Sequence, residues 1–219
     1  MARETFEKEL GLLRESLLRM AGQVEAQIAD ALDALRRRDS DLADRVRAND
    51  QQLNELYRQI REQCFTVIAT QQPVARDLRT LMGVLYISAE LERMGDYAVR
   101  IARMVGTLVG LPEGPLRSEF GIMGELATRQ VHDILDALIE QNEAQAREVA
   151  ARDDEIDRLY HHVFDDLVRQ VGEGGGEEVA LRAVTLMLVA HNLERIADRV
   201  TNVAEDIVFL ETGQVVELG

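Results

Sequence analysis

The sequence has few of the residues on which several classes of protein depend. It contains one cysteine, Cys64, so it cannot form a disulfide within the chain, which is typical of a cytoplasmic protein. It has no tryptophan, 3 prolines and 4% aromatic residues, a composition unlike that of a β-sandwich. Its apolar runs are far shorter than the roughly 20 residues that span a membrane, and its N-terminal segment mixes charges, unlike a signal peptide. We therefore expect a helical, cytoplasmic protein.

Basic residues are scarce relative to acidic ones. The chain has 25 Lys and Arg against 40 Asp and Glu, a formal net charge of −15. Sequence-independent binding to nucleic acid rests on neutralising phosphates, so a nucleic-acid partner is not expected. The hydrophobic fraction of 46% excludes wholesale disorder. Most of the acidic residues are expected to form solvated helix faces, and those with another role have to be found by their spacing.

Apolar residues recur at intervals of three and four through almost the whole chain, which predicts long amphipathic helices. Helix-breaking residues at 38–40, at 71–73 and in the linker 110–115 end the first three predicted helices. Three more are predicted at about 118–140, 143–171 and 177–211. The predicted fold class is all-α, with six long antiparallel helices.

The two sets of three helices repeat one another. Residues 30–35 (DALDAL) match residues 133–138 (DILDAL) at an offset of 103. Residues 91–96 (LERMGD) match residues 193–198 (LERIAD) at an offset of 102. A duplicated unit of three helices explains both matches. We therefore predict two tandem, pseudo-symmetric three-helix bundles, residues 1–109 and residues 116–211.

One stripe of the last predicted helix carries four side chains with oxygen donors. They follow one another at i, i+4, i+8 and i+11, which keeps them on one helix face. Like charges at i, i+4 destabilise a helix by roughly 0.2–0.5 kcal/mol per pair, so the stripe predicts a compensating cation, either an arginine or a metal. The four residues are Glu194, Asp198, Asn202 and Glu205.

Equal helical rise on either side of each turn brings further carboxylates to the same height. Such clusters are hard-ligand sites, suited to magnesium, manganese or calcium, and to iron when carboxylates bridge several ions. In the second half the added residues are Asp153, Asp154, Asp157, Asp133 and Asp136. In the first half the same construction groups Glu92, Asp96, Asp50 and Asp30.

The two predicted clusters differ at two positions of the repeat. Where the second half has Asn202 and Glu205, the first half has Arg100 and Arg103. Asp96 and Arg100 therefore have the spacing of an ordinary i, i+4 ion pair, which would neutralise the first cluster internally.

Other side chains near the motifs leave alternatives open. The four histidines show neither zinc-like pairing nor the Glu-x-x-His spacing of di-iron bundles. Arg93 and Arg195, next to the glutamates, either have a functional role or are ordinary side chains, solvated or in salt bridges at the edge of the bundle, and the sequence favours neither reading.

The paired segments 91–96 and 193–198, preceded by residues 71–79 (QQPVARDLR), resemble the PhoU family over nearly the whole chain. The resemblance implies self-association, as a homodimer or larger, and a multinuclear cluster of iron, zinc, manganese or magnesium on the Glu-x-x-x-Asp helices. It also implies a non-enzymatic negative regulator of phosphate uptake and of phosphate-starvation signalling. Such a protein would connect the ATPase subunit of the phosphate ABC transporter with a sensor histidine kinase, and would meet the membrane only through these partners.

The family motif falls on Glu92 and Asp96 in the first repeat, and on Glu194, Asp198 and Asn202 in the second. The family often has Asn where Arg100 stands, so the resemblance predicts tighter metal binding in the second repeat. Taken with the carboxylates at the same height, the candidate metal ligands are Glu194, Asp198, Asn202, Glu92, Asp96, Glu205, Asp153, Asp157 and Asp50.

Two other functions remain open from the sequence. One is a carboxylate-bridged metal enzyme, and the other is a metal-free helical structural protein. The sequence contains neither a P-loop nor a recognisable pairing of nucleophile and base, which favours the regulator over an enzyme.

Overall fold

A computed structural model of the chain describes residues 2–112, 114 and 116–219. The predicted linker 110–115 is therefore only partly covered, since Glu113 and Pro115 lie outside the described residues. The described part is helical without a strand, which confirms the predicted all-α fold. Its helices are α1 (Ala2–Arg37), α2 (Ser40–Gln71), α3 (Arg76–Val109), α4 (Ser118–Glu140), α5 (Glu143–Ala150), α6 (Asp153–Gly172) and α7 (Gly176–Thr212).

The fifth predicted helix, 143–171, is divided into α5 and α6 by a turn at Ala151 and Arg152. No glycine or proline marks this break, which is why apolar periodicity alone ran through it. The first turn of α6 holds three consecutive acidic residues, and the positive end of the helix dipole favours carboxylates there. The break therefore makes Asp153 the first residue of a new helix.

Side chains and left-handed residues define the short turns between helices. Asp39 caps α2 by accepting a hydrogen bond from the backbone N–H of Leu42 at 2.9 Å, and Asn142 caps α5 in the same way. Gln72 and Gln141 end α2 and α4 in the left-handed region, with φ of 48° and 54°. These turns reverse the chain, so consecutive long helices run antiparallel.

Helices α3 and α7 pack against each other at the centre of the molecule. Helices α1 and α2 cover α3, whereas α4, α5 and α6 cover α7. Gly83 permits the close approach of α3 to α7, since a Cβ atom there would lie only 2.3 Å from Cδ2 of Leu210. The two helices with the Glu-x-x-x-Asp motifs are thus the central pair. Among the described helices, none has the length and apolarity needed to cross a membrane.

Candidate metal centre

Three aspartates from α6 and α7 form the tightest carboxylate group in the second half. Asp153 and Asp157 lie one turn apart on α6, so both face Asp198 on α7. One carboxylate oxygen from each residue lies within 4.8 Å of the others. In the described part of the chain, this is the single group of three or more Asp, Glu, His or Cys side chains close enough to hold one metal ion.

Several oxygens of this group have no hydrogen-bond partner. Oδ1 of Asp153, Oδ1 of Asp157 and Oε2 of Glu194 are buried and unpaired. Nδ1 of His191 lies 3.3 Å from Oε2 of Glu194 without the alignment of a hydrogen bond. Because a buried oxygen normally has a partner, unpaired carboxylate oxygens indicate a missing donor or cation.

Burial makes these carboxylates reluctant to ionise. It raises the pKa of Glu194 to about 7, and the neighbouring charge of Asp198 adds to this effect. Burial also raises the pKa of Asp153 to about 6, with further contributions from Asp157 and Asp198. The pKa of Asp198 is raised by burial too, although Arg195 and Arg199 oppose the shift. A cation among the four carboxylates would relieve their repulsion.

The residues present fit a divalent metal. Carboxylate oxygens suit magnesium, manganese and iron, and they also occur as zinc ligands. Asp153, Asp157 and Asp198 would hold the ion directly, while Glu194, one turn from Asp198, would complete or bridge the site.

The corresponding cluster in the first half has one carboxylate fewer. Asp50, Glu92 and Asp96 occupy the positions of Asp153, Glu194 and Asp198, but Asn54 stands where the second half has Asp157. The amide of Asn54 donates to Oδ2 of Asp50 at 2.9 Å.

Glu92 and Asp96 nevertheless lie in a similar electrostatic environment. Burial raises the pKa of both, and the charge of Asp50 acts on each of them in the same direction. The structure thus brings the three predicted first-half residues near one another, although they do not form a group as tight as that of the second half.

Arg100 is placed differently from the expectation of an ion pair with Asp96. Its guanidinium lies over the ring of Tyr97, with Cζ 5.0 Å from the ring centroid, and the described residues include no ion pair between it and Asp96. Arg100 and Arg103 still lower the pKa of Asp96, against the larger effect of burial. The first cluster is therefore next to two cations without a direct contact to Arg100.

Two predicted ligands on α7 make hydrogen bonds outside the tight group. The amide of Asn202 donates to Oε2 of Glu90 on α3 at 3.1 Å. Oε1 of Glu205 accepts a hydrogen bond from the backbone N–H of Leu218 at 2.9 Å. Both residues lie on the predicted stripe, but their side chains make other contacts, and metal binding by them stays a prediction.

The first helix of each half does not add a carboxylate to the centre. Asp133 pairs with Arg152 at 2.5 Å, and Asp136 lies 3.6 Å from Nε2 of His132. Asp30 is exposed. We expected three helices in each half to contribute carboxylates at one height, but among the described residues only two helices in each half do so.

Sequence analysis missed three residues next to the second cluster, which are Glu90, Tyr97 and Arg199. Glu90 is 8% exposed and accepts from Arg199 and Asn202, while the hydroxyl of Tyr97 lies 3.5 Å from Nε of Arg195. The one usable signal was that Glu90 interrupts an apolar stripe between Ile87 and Leu91.

Comparison with known proteins identifies the family to which the chain belongs. The PhoU domain family matches residues 17–105 and, a second time, residues 120–207. The chain belongs to the PhoU family. This confirms the resemblance seen in the repeated motifs.

Curated relatives of the PhoU family align with the chain over nearly its full length. A phosphate-specific transport system accessory protein PhoU homolog from Clostridium acetobutylicum is 36% identical over 100% of this chain and 99% of its own length. The phosphate-specific transport system accessory protein PhoU of Escherichia coli is 33% identical over 95% of this chain and 86% of its own.

Two solved PhoU structures share the fold. That of Pseudomonas aeruginosa PhoU has a TM-score of 0.91 at 35% identity, over 95% of this chain and 100% of that one. The phosphate transport system regulatory protein PhoU of Streptococcus pneumoniae has a TM-score of 0.90 at 28% identity, over 97% and 100%. The relatives are thus named as accessory or regulatory proteins.

Proposed function

We propose that this chain is an accessory regulator of phosphate-specific transport that acts by binding other proteins and not by catalysis. The observation that carries the proposal is the full-length similarity to PhoU accessory proteins. In this role it represses phosphate uptake and the starvation response when phosphate is plentiful.

The finer part of the proposal is an adaptor role. The chain would bind the ATPase subunit of the phosphate ABC transporter and a sensor histidine kinase, as a homodimer or larger assembly. Its long helices offer extended surfaces for such partners, and exposed apolar side chains are present on several helices. Examples from different helices are Phe65, Tyr86, Ile139 and Val184.

A metal ion is the third part of the proposal. The group of Asp153, Asp157 and Asp198 would bind a divalent or transition metal, with Glu194 beside it. The support is the set of buried oxygens without partners, which a cation would satisfy. Bound metal would stabilise the packing of α6 on α7, since its ligands come from both helices.

Co-purification tests the adaptor role directly. Membranes from phosphate-replete and phosphate-starved cells are solubilised, and proteins retained by the tagged chain are identified by mass spectrometry. We expect transporter ATPase and kinase subunits to be enriched over an untagged control, with a difference between the two phosphate conditions. Enrichment of neither subunit in either condition would contradict the adaptor role.

A deletion strain tests regulation separately from binding. Loss of the chain should raise expression of phosphate-starvation genes in phosphate-rich medium, and the wild-type chain should restore repression. Unchanged expression in the deletion strain would refute negative regulation even if co-purification succeeds.

A further inference from the structure

Two arginines of α7 connect the candidate metal centre with α3 of the first half. Nη1 of Arg195 donates to Oδ2 of Asp198 at 2.5 Å, while its Nε lies 3.5 Å from the hydroxyl of Tyr97. Nη2 of Arg199 lies 3.8 Å from the same Oδ2 of Asp198, and its Nη1 donates to Oε2 of Glu90 at 3.2 Å. Each guanidinium therefore faces a carboxylate of the centre on one side and α3 on the other.

The contact made by Arg199 is the more enclosed of the two. The side chains of Arg199 and Glu90 are 13% and 10% exposed, against 34% for Arg195. Glu90 also accepts from Asn202 and Arg93, so it is a buried carboxylate with three donors. Nε of Arg199 is buried without a partner, so this guanidinium is not held by a complete set of hydrogen bonds.

We propose that Arg199 is a positioning residue that links the cation state of the candidate metal centre to the first repeat. Without metal, it is shared between Asp198 and Glu90. When a metal ion binds Asp198, Arg199 loses its contact with Asp198 and pairs with Glu90 alone. This inference rests on the metal centre of the proposed function and adds the route by which its occupancy reaches α3.

Electrostatics gives the direction of the shift. A divalent ion on Asp198 repels a guanidinium held 3.8 Å from that carboxylate and also neutralises the charge that attracted it. Glu90 is the alternative acceptor already in contact. Binding linkage is reciprocal, so an interaction that draws Arg199 toward Glu90 must favour metal binding by the same factor.

The contact between Arg199 and Glu90 joins the two halves of the fold. Glu90 lies on α3 and Arg199 on α7, the central helices of the two halves. Metal binding at the α6 and α7 cluster would therefore strengthen a polar contact between the repeats that is made by Arg199, the residue directly after the ligand Asp198.

A titration with Mn²⁺ tests the proposal. The metal-depleted full-length chain carries Glu92→Ala and Asp96→Ala, so that the second cluster alone titrates, and Mn²⁺ binding is followed by calorimetry. Glu90→Gln should weaken Mn²⁺ binding by about three- to tenfold, since Arg199 is released onto Asp198. In the Arg199→Met background the same change should cost less than about twofold. The direct loss of the Glu90 charge acts in both backgrounds, so the difference between them isolates Arg199.

Control variants separate this effect from general loss of structure or charge. Glu62→Gln removes an exposed carboxylate that pairs with Arg58, far from the cluster in sequence, and should leave Mn²⁺ affinity unchanged. Circular dichroism in chelator checks that each variant is folded. If Arg199→Met does not fold, Arg199→Gln replaces it, since the neutral amide can still donate a hydrogen bond to Glu90 but brings no positive charge to Asp198.

The outcomes are distinct. A larger effect of Glu90→Gln with Arg199 than without it supports the proposal. Equal effects in the two backgrounds overturn it and leave the metal centre standing. If the parent chain binds no Mn²⁺, the metal centre of the proposed function fails, and the coupling through Arg199 fails with it.

Discussion

The two halves of the molecule hold the same motif in different surroundings. The second half gathers Asp153, Asp157 and Asp198 around a space lined by oxygens without partners. In the first half, Asn54 replaces one of these aspartates and donates to Asp50, which satisfies an oxygen that would otherwise be free. The comparison shows that a repeated Glu-x-x-x-Asp motif does not alone set the charge of its cluster, because the residue facing it from the neighbouring helix is Asp157 in one half and Asn54 in the other.

Helix geometry and nearby cations reinforce this difference. Asp50 lies within the unbroken helix α2, whereas Asp153 begins α6 after a turn. Arg100 and Arg103 act on Asp96, while the second half has Asn202 and Glu205 at those positions. We therefore expect the second cluster to bind a divalent cation and the first to bind it more weakly.

The largest expected effect is on stability after metal removal. Chelator should lower the unfolding free energy of the chain by about 2.7 kcal/mol relative to metal at 100 times its Kd, or roughly 5–10 °C in the unfolding temperature. Asp198→Asn should abolish this difference, and Asp96→Asn at the corresponding position should largely keep it. Differential scanning calorimetry with and without chelator measures both. A melting temperature indifferent to chelator would favour a metal-free structural protein.

Removing the carboxylate that distinguishes the halves should weaken metal binding by about 10- to 100-fold. The change is Asp157→Asn, which copies Asn54 of the first half and preserves side-chain volume. Calorimetric titration with Mn²⁺ measures it. An affinity within twofold of the unaltered chain would show that Asp157 is not a ligand.

The reverse change should build the missing charge into the first half. Asn54→Asp with Arg100→Asn makes that cluster resemble the second, and we expect its Mn²⁺ affinity to rise about tenfold. The titration is performed in a chain carrying Glu194→Ala and Asp198→Ala, so that binding reports on the first cluster. No gain in affinity would mean that backbone geometry, and not charge, separates the halves.

The smallest effect concerns a core position at which the halves also differ. Cys64 of α2 corresponds to Leu167 of α6, and both are buried. Burial raises the pKa of Cys64 to about 12, so the thiol of the unfolded chain ionises first as pH rises. Stability should therefore fall above about pH 9, by at most about 1.4 kcal/mol per pH unit. Urea unfolding at pH 8 to 10 measures this slope of unfolding free energy against pH, and Cys64→Val should remove it. The same slope in the variant would show that a group other than the Cys64 thiol causes it.

Much of the fold and part of the site follow from local rules. Apolar periodicity places the long helices, and equal rise from the turn near residue 174 brings Asp153 and Asp157 beside Asp198. The break before Asp153 lacks a glycine or proline, so periodicity could not reveal it.

The contacts of Asn202 and Arg199 with Glu90 were not predictable in this way. They cross between the repeats, and they depend on the close packing of α3 against α7 and on the side-chain rotamers that this packing selects. Spacing along one helix identifies which side chains share a face, but not which partner each of them reaches across an interface.

Elemental analysis of two matched double variants tests the central claim most directly. Both are purified from the same metal-supplemented culture, one with Glu194→Ala and Asp198→Ala, the other with Glu92→Ala and Asp96→Ala. We predict that the first variant loses most of its bound metal, whereas the second retains most of it. Equal loss from both variants would contradict the claim that the second cluster is the tighter metal site.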